Sequence, residues 1–181
     1  MPRHAAFLRA INLGRNRRVG SADLRACFES AGLDEVQTFR TSGNVVFEAG
    51  RKPREQLTGE IERALADALG YDVDVFLRTA DEVRAIAAHR PFADGLVQAS
   101  AGKLQVWLLS AKPTARKREE VLALATGADR LAFGERELYW LPSGGTMESE
   151  LDQKAIGKLA GPSTMRTKGT IEQLAAKFFA D

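Results

Sequence analysis

Arginines placed beside helix starts are the groups in this chain best suited to chemistry, and the chemistry they suit is anion binding. Residues 11–20 read INLGRNRRVG, with Arg15, Arg17 and Arg18 between a strand-like run and a helix that starts at Ser21. A helix N-terminus offers unpaired N–H groups and a positive partial charge, so it suits a phosphate or carboxylate. A solvated turn would carry the same residues without binding anything. Neither GxxxxGK[ST] nor GxGxxG occurs, so no common nucleotide fingerprint is present.

Arg78 and Arg166 recur in equivalent places. FLRTADEVRAIAA (76–88) aligns without a gap on TMRTKGTIEQLAA (164–176), matching Arg78 to Arg166 and Thr79 to Thr167. Each arginine stands just before a helix start, where the dipole disfavours a cation unless an anion neutralises it. In the first copy Asp81 and Glu82 are placed to do so. In the second the matching residues are Gly169 and Thr170, while Lys168 adds charge and Thr167 and Thr170 add hydroxyls. RTKGT (166–170) is therefore the sharper candidate for an external phosphate or carboxylate. Its plain alternative is a salt bridge from Arg166 to Glu148, Glu150 or Asp152. Arg9 and Asn12 at the end of the first strand, Arg15 in the loop and Arg40 in RTSGN (40–44) complete the anion-binding candidates. The end of the first strand is expected at the opposite edge from the RTSGN hairpin and from the end of the fourth strand. Arg9 and Arg40 would then need a second unit or subunit to meet.

Other catalytic chemistry finds little footing, and no catalytic motif is recognisable. The two histidines, His4 and His89, lack a nearby Ser/Asp pattern. Cys27 is the single cysteine; it shares an apolar helix face with Leu24, Phe28 and Ala31, which fits a buried thiol better than a nucleophile. No Cys/His spacing suits zinc, and no metal or cofactor is indicated. The net charge is +2, from 26 basic and 24 acidic residues, too balanced to imply nucleic acid or an anionic membrane by itself. No apolar run approaches a membrane span, and the N-terminal apolar stretch is too short for a signal peptide. A soluble cytoplasmic protein is expected.

The elements that must position these residues follow from periodicity. Residues 4–12 are extended with two apolar faces, and Ser21 caps a first helix. Residues 36–40 and 44–48 form a hairpin, with Gly43 and Asn44 suited to a positive-φ turn. Pro53 opens a second helix, residues 73–77 make a fourth strand, and Thr79 with Glu82 makes a capping box for a third helix. The order then repeats: a strand at 103–109, a helix at 113–126, a hairpin at 131–133 and 137–141, a helix at 146–160, a short strand at 163–165 and a last helix. This predicts an α+β fold of duplicated ferredoxin-like βαββαβ units, each followed by an extra helix. The units are residues 1–89 and 103–181, joined by a turn-rich linker at 90–102. Leu104, Val106 and Leu108 face one way and Trp107 and Leu109 the other, so a covered second sheet face is expected in each unit.

Ferredoxin-like topology also raises RNA binding, in which exposed aromatics of the central strands stack bases. Phe7 and Phe47 occupy such strands, but GNVVFEA lacks the basic-Gly-aromatic signature.

FLRAINLG (7–14), SADLRACFESAGLDEV (21–36), TFRTSGNVVFEA (38–49), FLRTADEV (76–83) and KLAGPSTMRTKGTIEQL (158–174) together resemble the bacterial family called domain of unknown function 1697. That family's first loop reads more like Gly-Gly-Lys-Asn, where this chain has Gly14-Arg15-Asn16-Arg17. Where the family carries a basic segment after the second hairpin, this chain has TMESELD. The resemblance implies a duplicated α+β fold and transfers no catalytic residues. The expected function is non-enzymatic binding of a small anionic or phosphorylated ligand. RNA or DNA binding through the basic loop and a structural or regulatory homodimer are the alternatives.

Overall fold

The computed structural model describes residues 1–9, 18–40 and 43–180. Asn12 and Arg15, and with them Arg17 and Ser42, lie outside the described residues. The first repeat runs β1 (Arg3–Leu8), α1 (Ser21–Ser30), β2 (Asp34–Phe39), β3 (Asn44–Glu48), α2 (Arg54–Leu69), β4 (Val75–Thr79) and α3 (Ala80–Ala88). A short helix, α4 (Asp94–Ala99), lies within the expected linker. The second repeat runs β5 (Gln105–Leu109), α5 (Ala115–Leu122), β6 (Asp129–Phe133), β7 (Glu137–Pro142), α6 (Gln153–Ala160), β8 (Ser163–Thr167) and α7 (Lys168–Phe178).

Each repeat builds a four-stranded antiparallel sheet, in the orders β2-β3-β1-β4 and β6-β7-β5-β8. That is the split βαβ arrangement, made twice. The registers repeat as well. Ala5 faces Arg78 across β1 and β4, and Val106 faces Arg166 across β5 and β8. The next pairs, His4 with Thr79 and Gln105 with Thr167, keep the correspondence.

The chain forms two compact units, Met1–Ala85 with Leu174–Asp181, and Ile86–Gln173. These boundaries cut through α3 and α7, so the end of the last helix belongs to the first unit. In that unit, Leu24 and Phe28 of α1 and Leu57, Ile61 and Leu65 of α2 pack on Ala6, Leu8, Val45, Phe47 and Leu77. The opposite sheet face is buried too, through Ala5, Phe7, Val46, Phe76 and Arg78. Residues at the end of α7 are fixed within the same unit. Arg3 donates to the Phe178 carbonyl at 2.6 Å, and Arg84 donates to that of Phe179 at 3.1 Å. The Phe178 ring meets Phe39 edge-on at 5.9 Å.

In the second unit Val121, Leu151 and Ile156 pack on Trp107, Leu109, Leu138 and Trp140. Its other sheet face is again buried, through Val106, Leu108 and Tyr139. The tilted rings of Tyr139 and His89 are 4.8 Å apart.

Local departures from the expected elements have local causes. The cap of α1 is Gly20 rather than Ser21. Helix α5 is shorter than 113–126 because Thr114 caps it, accepting from the Lys117 N–H. Helix α6 starts at Gln153 rather than 146. Asp152 caps it by accepting from Ala155, and the Ser149 hydroxyl accepts from Leu151 N–H while donating to Asp129.

Gly102 is held where no side chain fits. A Cβ there would strike the Gly144 carbonyl oxygen and lie 2.6 Å from that of Pro142. Ser100 fixes the same corner by donating to the Pro142 carbonyl and accepting from Gly102 N–H. Gly102→Ala is expected to lower the unfolding free energy by about 2 kcal/mol. Gly144→Ala, with nothing within 4 Å of its added Cβ, should change it little. Urea denaturation of both variants checks this.

Candidate functional site

The antiparallel pairing of β1 with β3 puts the end of β1 beside the β2–β3 hairpin. Leu8 N–H donates to the Gly43 carbonyl at 2.8 Å, and Arg9 N–H donates to that of Asp74 at 3.0 Å. This corrects the expectation that hairpin and strand end lie at opposite edges. The end of β4 is at the far edge, as expected, since Thr79 pairs with His4. The Arg9 guanidinium lies 3.7 Å from the Asp74 carboxylate, with both side chains about half exposed. An ion pair so open to water contributes little.

At this edge a cavity of about 600 Å³ opens beside the N-terminus of α1. Arg18, Val19, Gly20, Ser21 and Leu24 line it from the α1 side, and Thr38, Arg40 and Gly43 from the hairpin. None of these lining residues is acidic. Gly20 supplies no side-chain cap, so the first-turn amides of α1 receive no hydrogen bond from it. Asp23, in that first turn, lines a neighbouring hollow of about 400 Å³ together with Arg18, Val19 and Cys27, and its Oδ2 would lie 3.8 Å from a Cβ added at Gly20. Burial raises the Cys27 thiol's pKa, which suits an inert thiol. Arg40 has φ 60, left-handed backbone that is costly for a side-chain-bearing residue, and its guanidinium lies 5.4 Å from the Phe39 ring centre.

The second repeat provides an internal comparison. There the hydrogen bond equivalent to Leu8–Gly43 runs from Leu109 N–H to the Arg136 carbonyl. The corresponding crevice is satisfied by the chain itself. Thr114 caps α5, and Arg118 donates to the Glu135 carbonyl at 2.8 Å and covers the Phe133 ring at 5.2 Å. Lys112 donates to the Glu135 carboxylate at 2.9 Å, which holds that carboxyl below its usual range. So the second repeat has a side-chain cap here and a carboxylate paired with Lys112, while in the first Gly20 supplies no cap and Asp23 stands in the first turn of the helix.

The recurring arginines are buried. Arg78 has no exposed surface and donates to the Leu77 carbonyl at 2.9 Å. Arg166 donates to the Thr164 hydroxyl and the Met165 carbonyl, both at 2.9 Å, and burial lowers its pKa to about 10. Asp81 pairs with Arg84 and Glu82 with Arg54. Glu82 and Thr79 do form the expected capping box, at 2.9 and 3.2 Å. Thr167 and Thr170 make the equivalent cap in the second repeat, their hydroxyls 2.8 Å apart. Lys168 is almost fully buried and donates to Glu172 and to the Ala87 carbonyl, each at 2.9 Å. The described bonds of RTKGT are thus internal, and Arg166 and Lys168 are turned away from solvent.

Of the candidates named from sequence, Arg40 lines the cavity and Arg9 sits at the same sheet edge. Thr38 was missed; placing the hairpin at the correct edge would have drawn attention to it. Phe7 and Phe47 have no exposed surface, so neither ring is available for base stacking. His4 stacks on Phe47 at 5.5 Å, and burial lowers its pKa. Among the described residues no group of three or more His, Cys, Asp or Glu is placed to hold a metal. Nor is any helix there long and apolar enough to cross a membrane.

Comparison with solved structures finds a conserved bacterial protein from Streptococcus pneumoniae that is 21% identical. The match has a TM-score of 0.73 and covers 99% of each chain, a likeness of fold. No curated protein matches the chain significantly. The family model described as protein of unknown function DUF1697 matches residues 1–139, spanning the first repeat and the second as far as β7. The chain belongs to the DUF1697 family.

Proposed function

We propose that this protein binds a small phosphate-bearing ligand, without catalysis, in the crevice at the N-terminus of α1. The observation that carries this reading is the lining of one cavity of about 600 Å³. Two arginines, Arg18 and Arg40, share it with an N-cap that has no side chain, and none of the described lining residues is acidic. Two arginines at one crevice favour an anion, and a helix N-terminus favours an oxyanion in particular. The Ser21 and Thr38 hydroxyls are further donors at the rim. A cytoplasmic location agrees with this reading, since Cys27 is a single, buried, free thiol.

Calorimetric titration with inorganic phosphate tests the proposal. Wild-type protein is expected to bind, and Arg18→Gln to bind about tenfold more weakly, the loss expected for one charge-assisted hydrogen bond. Arg118→Gln, in the self-satisfied crevice of the second repeat, is expected to bind as wild type does. Binding that ignores Arg18→Gln, or falls equally in Arg118→Gln, contradicts this assignment.

A further inference from the structure

We propose that the end of α7 is a strap that holds the β2–β3 hairpin of the first unit, although the chain brings it from the second. The proposal is independent of what the crevice at α1 binds.

The exchange is made twice, at equivalent points. One unit boundary falls between Ala85 and Ile86 in α3, the other between Gln173 and Leu174 in α7. The alignment of 76–88 on 164–176 matches Ala85 to Gln173 and Ile86 to Leu174. Each extra helix therefore starts in the unit of its own repeat and ends in the other unit. One position beyond the aligned segment, Lys177 corresponds to His89. Lys177 Nζ lies 5.8 Å from the Phe39 ring centre in the first unit, and the His89 ring lies 4.8 Å from that of Tyr139 in the second.

The two rings serve equivalent places. The matching bonds Leu8–Gly43 and Leu109–Arg136 set Asn44 level with Glu137. Phe39 pairs with Asn44 and Gly134 bonds Glu137, so Phe39 and Gly134 correspond. Gly134 has no side chain, and Tyr139 Cε2 lies 3.1 Å from where its Cβ would be. Tyr139 thus reaches into the place of the side chain that Gly134 lacks.

The strap is anchored. Its apolar stripe, Leu174, Ala175, Phe178 and Phe179, is buried. A helix C-terminus leaves carbonyls unpaired within the helix and favours cations. Arg3 and Arg84 supply both, donating to the carbonyls of Phe178 and Phe179.

The hairpin it holds is the more demanding of the two. Four residues separate Phe39 from Asn44, whereas two separate Gly134 from Glu137. Arg40 stands at φ 60, while no residue of 134–136 has a positive φ. Strained backbone persists only where its surroundings over-determine it. Phe178 meets the Phe39 ring edge-on at 5.9 Å, Lys177 meets it as well, and Asn44 Nδ2 donates to the Phe39 carbonyl at 2.9 Å. Displacing the end of α7 removes two of these supports.

Amide hydrogen exchange of the full-length protein tests the proposal at two equivalent positions. Leu8 N–H bonds the Gly43 carbonyl in the first unit, and Leu109 N–H bonds that of Arg136 in the second. Phe178→Ala is expected to speed exchange at Leu8 at least tenfold and to leave Leu109 within about twofold. Lys177→Ala, at an exposed position, should speed Leu8 by about threefold with the fold intact, so it decides the matter even where Phe178→Ala unfolds. His89→Ala should do the converse, speeding Leu109 by about threefold and sparing Leu8. Equal acceleration at both amides in the α7 variants, or none at Leu8, overturns the proposal.

Discussion

Replacing Arg40 with glycine is expected to weaken phosphate binding by about 10- to 100-fold while changing the unfolding free energy far less. The binding loss is that of a charged hydrogen-bonding group, about 1.5–3 kcal/mol. Its backbone and ring contributions to stability are of similar size and oppose each other. Arg40 sits at φ 60, where a side chain costs about 1 kcal/mol and glycine costs almost nothing. Against this, the substitution removes the guanidinium from the Phe39 ring, 5.4 Å away, worth about 0.5–1 kcal/mol at an exposed site. A residue kept for folding would show the reverse pattern, so titration and denaturation of one variant separate the two roles. Strained backbone at a cavity lined by two arginines is what a binding residue would be expected to retain.

Asp129→Ala is expected to lower the unfolding free energy by about 3 kcal/mol or more, a large share of the stability of a domain this size. Asp129 is 2% exposed. Its Oδ1 accepts from the Trp140 indole at 2.8 Å and from the Ser149 hydroxyl at 2.7 Å, and its Oδ2 accepts from Thr126 at 2.6 Å. Alanine would strand three donors, whereas Asp129→Asn keeps an acceptor and should cost less. Burial disfavours the charged carboxylate, but the bonds from Thr126, Ser149 and Trp140 outweigh it and hold the pKa below the ordinary aspartate value. The unfolded chain therefore takes up this proton first. The stabilisation is complete above the unfolded pKa and is lost as pH falls through it toward the lower folded value. Urea unfolding from pH 7 to pH 3 should show a steeper acid loss in wild type than in Asp129→Asn. Equal slopes would mean that the carboxylate's charge is not what the network uses.

The repeat was legible in the sequence because its signals are local. Matching arginines, capping threonines and Ala-Ala pairs marked two copies, and the registers of Ala5 with Arg78 and Val106 with Arg166 carry that match into the sheets. What sequence missed depends on groups far apart in the chain. The start of α6 is set by Ser149 bonding to Asp129, 20 residues away. Arg166 looked like an anion site because its following helix lacks the acids of the first copy. The strand alternation already held the correction: Arg78 shares a sheet face with Phe76, and that face was expected to be covered. The candidate cavity went unrecognised because the end of β1 was placed at the wrong edge. Antiparallel pairing of β1 with β3 brings Leu8 to Gly43, and with it the α1 N-terminus near Thr38 and Arg40.

The proposed function requires the crevice of the first repeat to take a ligand where the second repeat is closed by its own groups. An amide-resolved NMR titration of the full-length protein with inorganic phosphate distinguishes the two crevices. Saturable shifts are predicted at the amides of Gly20, Ser21 and Gly43, with the Thr114–Lys117 turn and the Glu135 amide unmoved. Shifts of equal size at the N-terminus of α5, or none at the N-terminus of α1, would contradict the account.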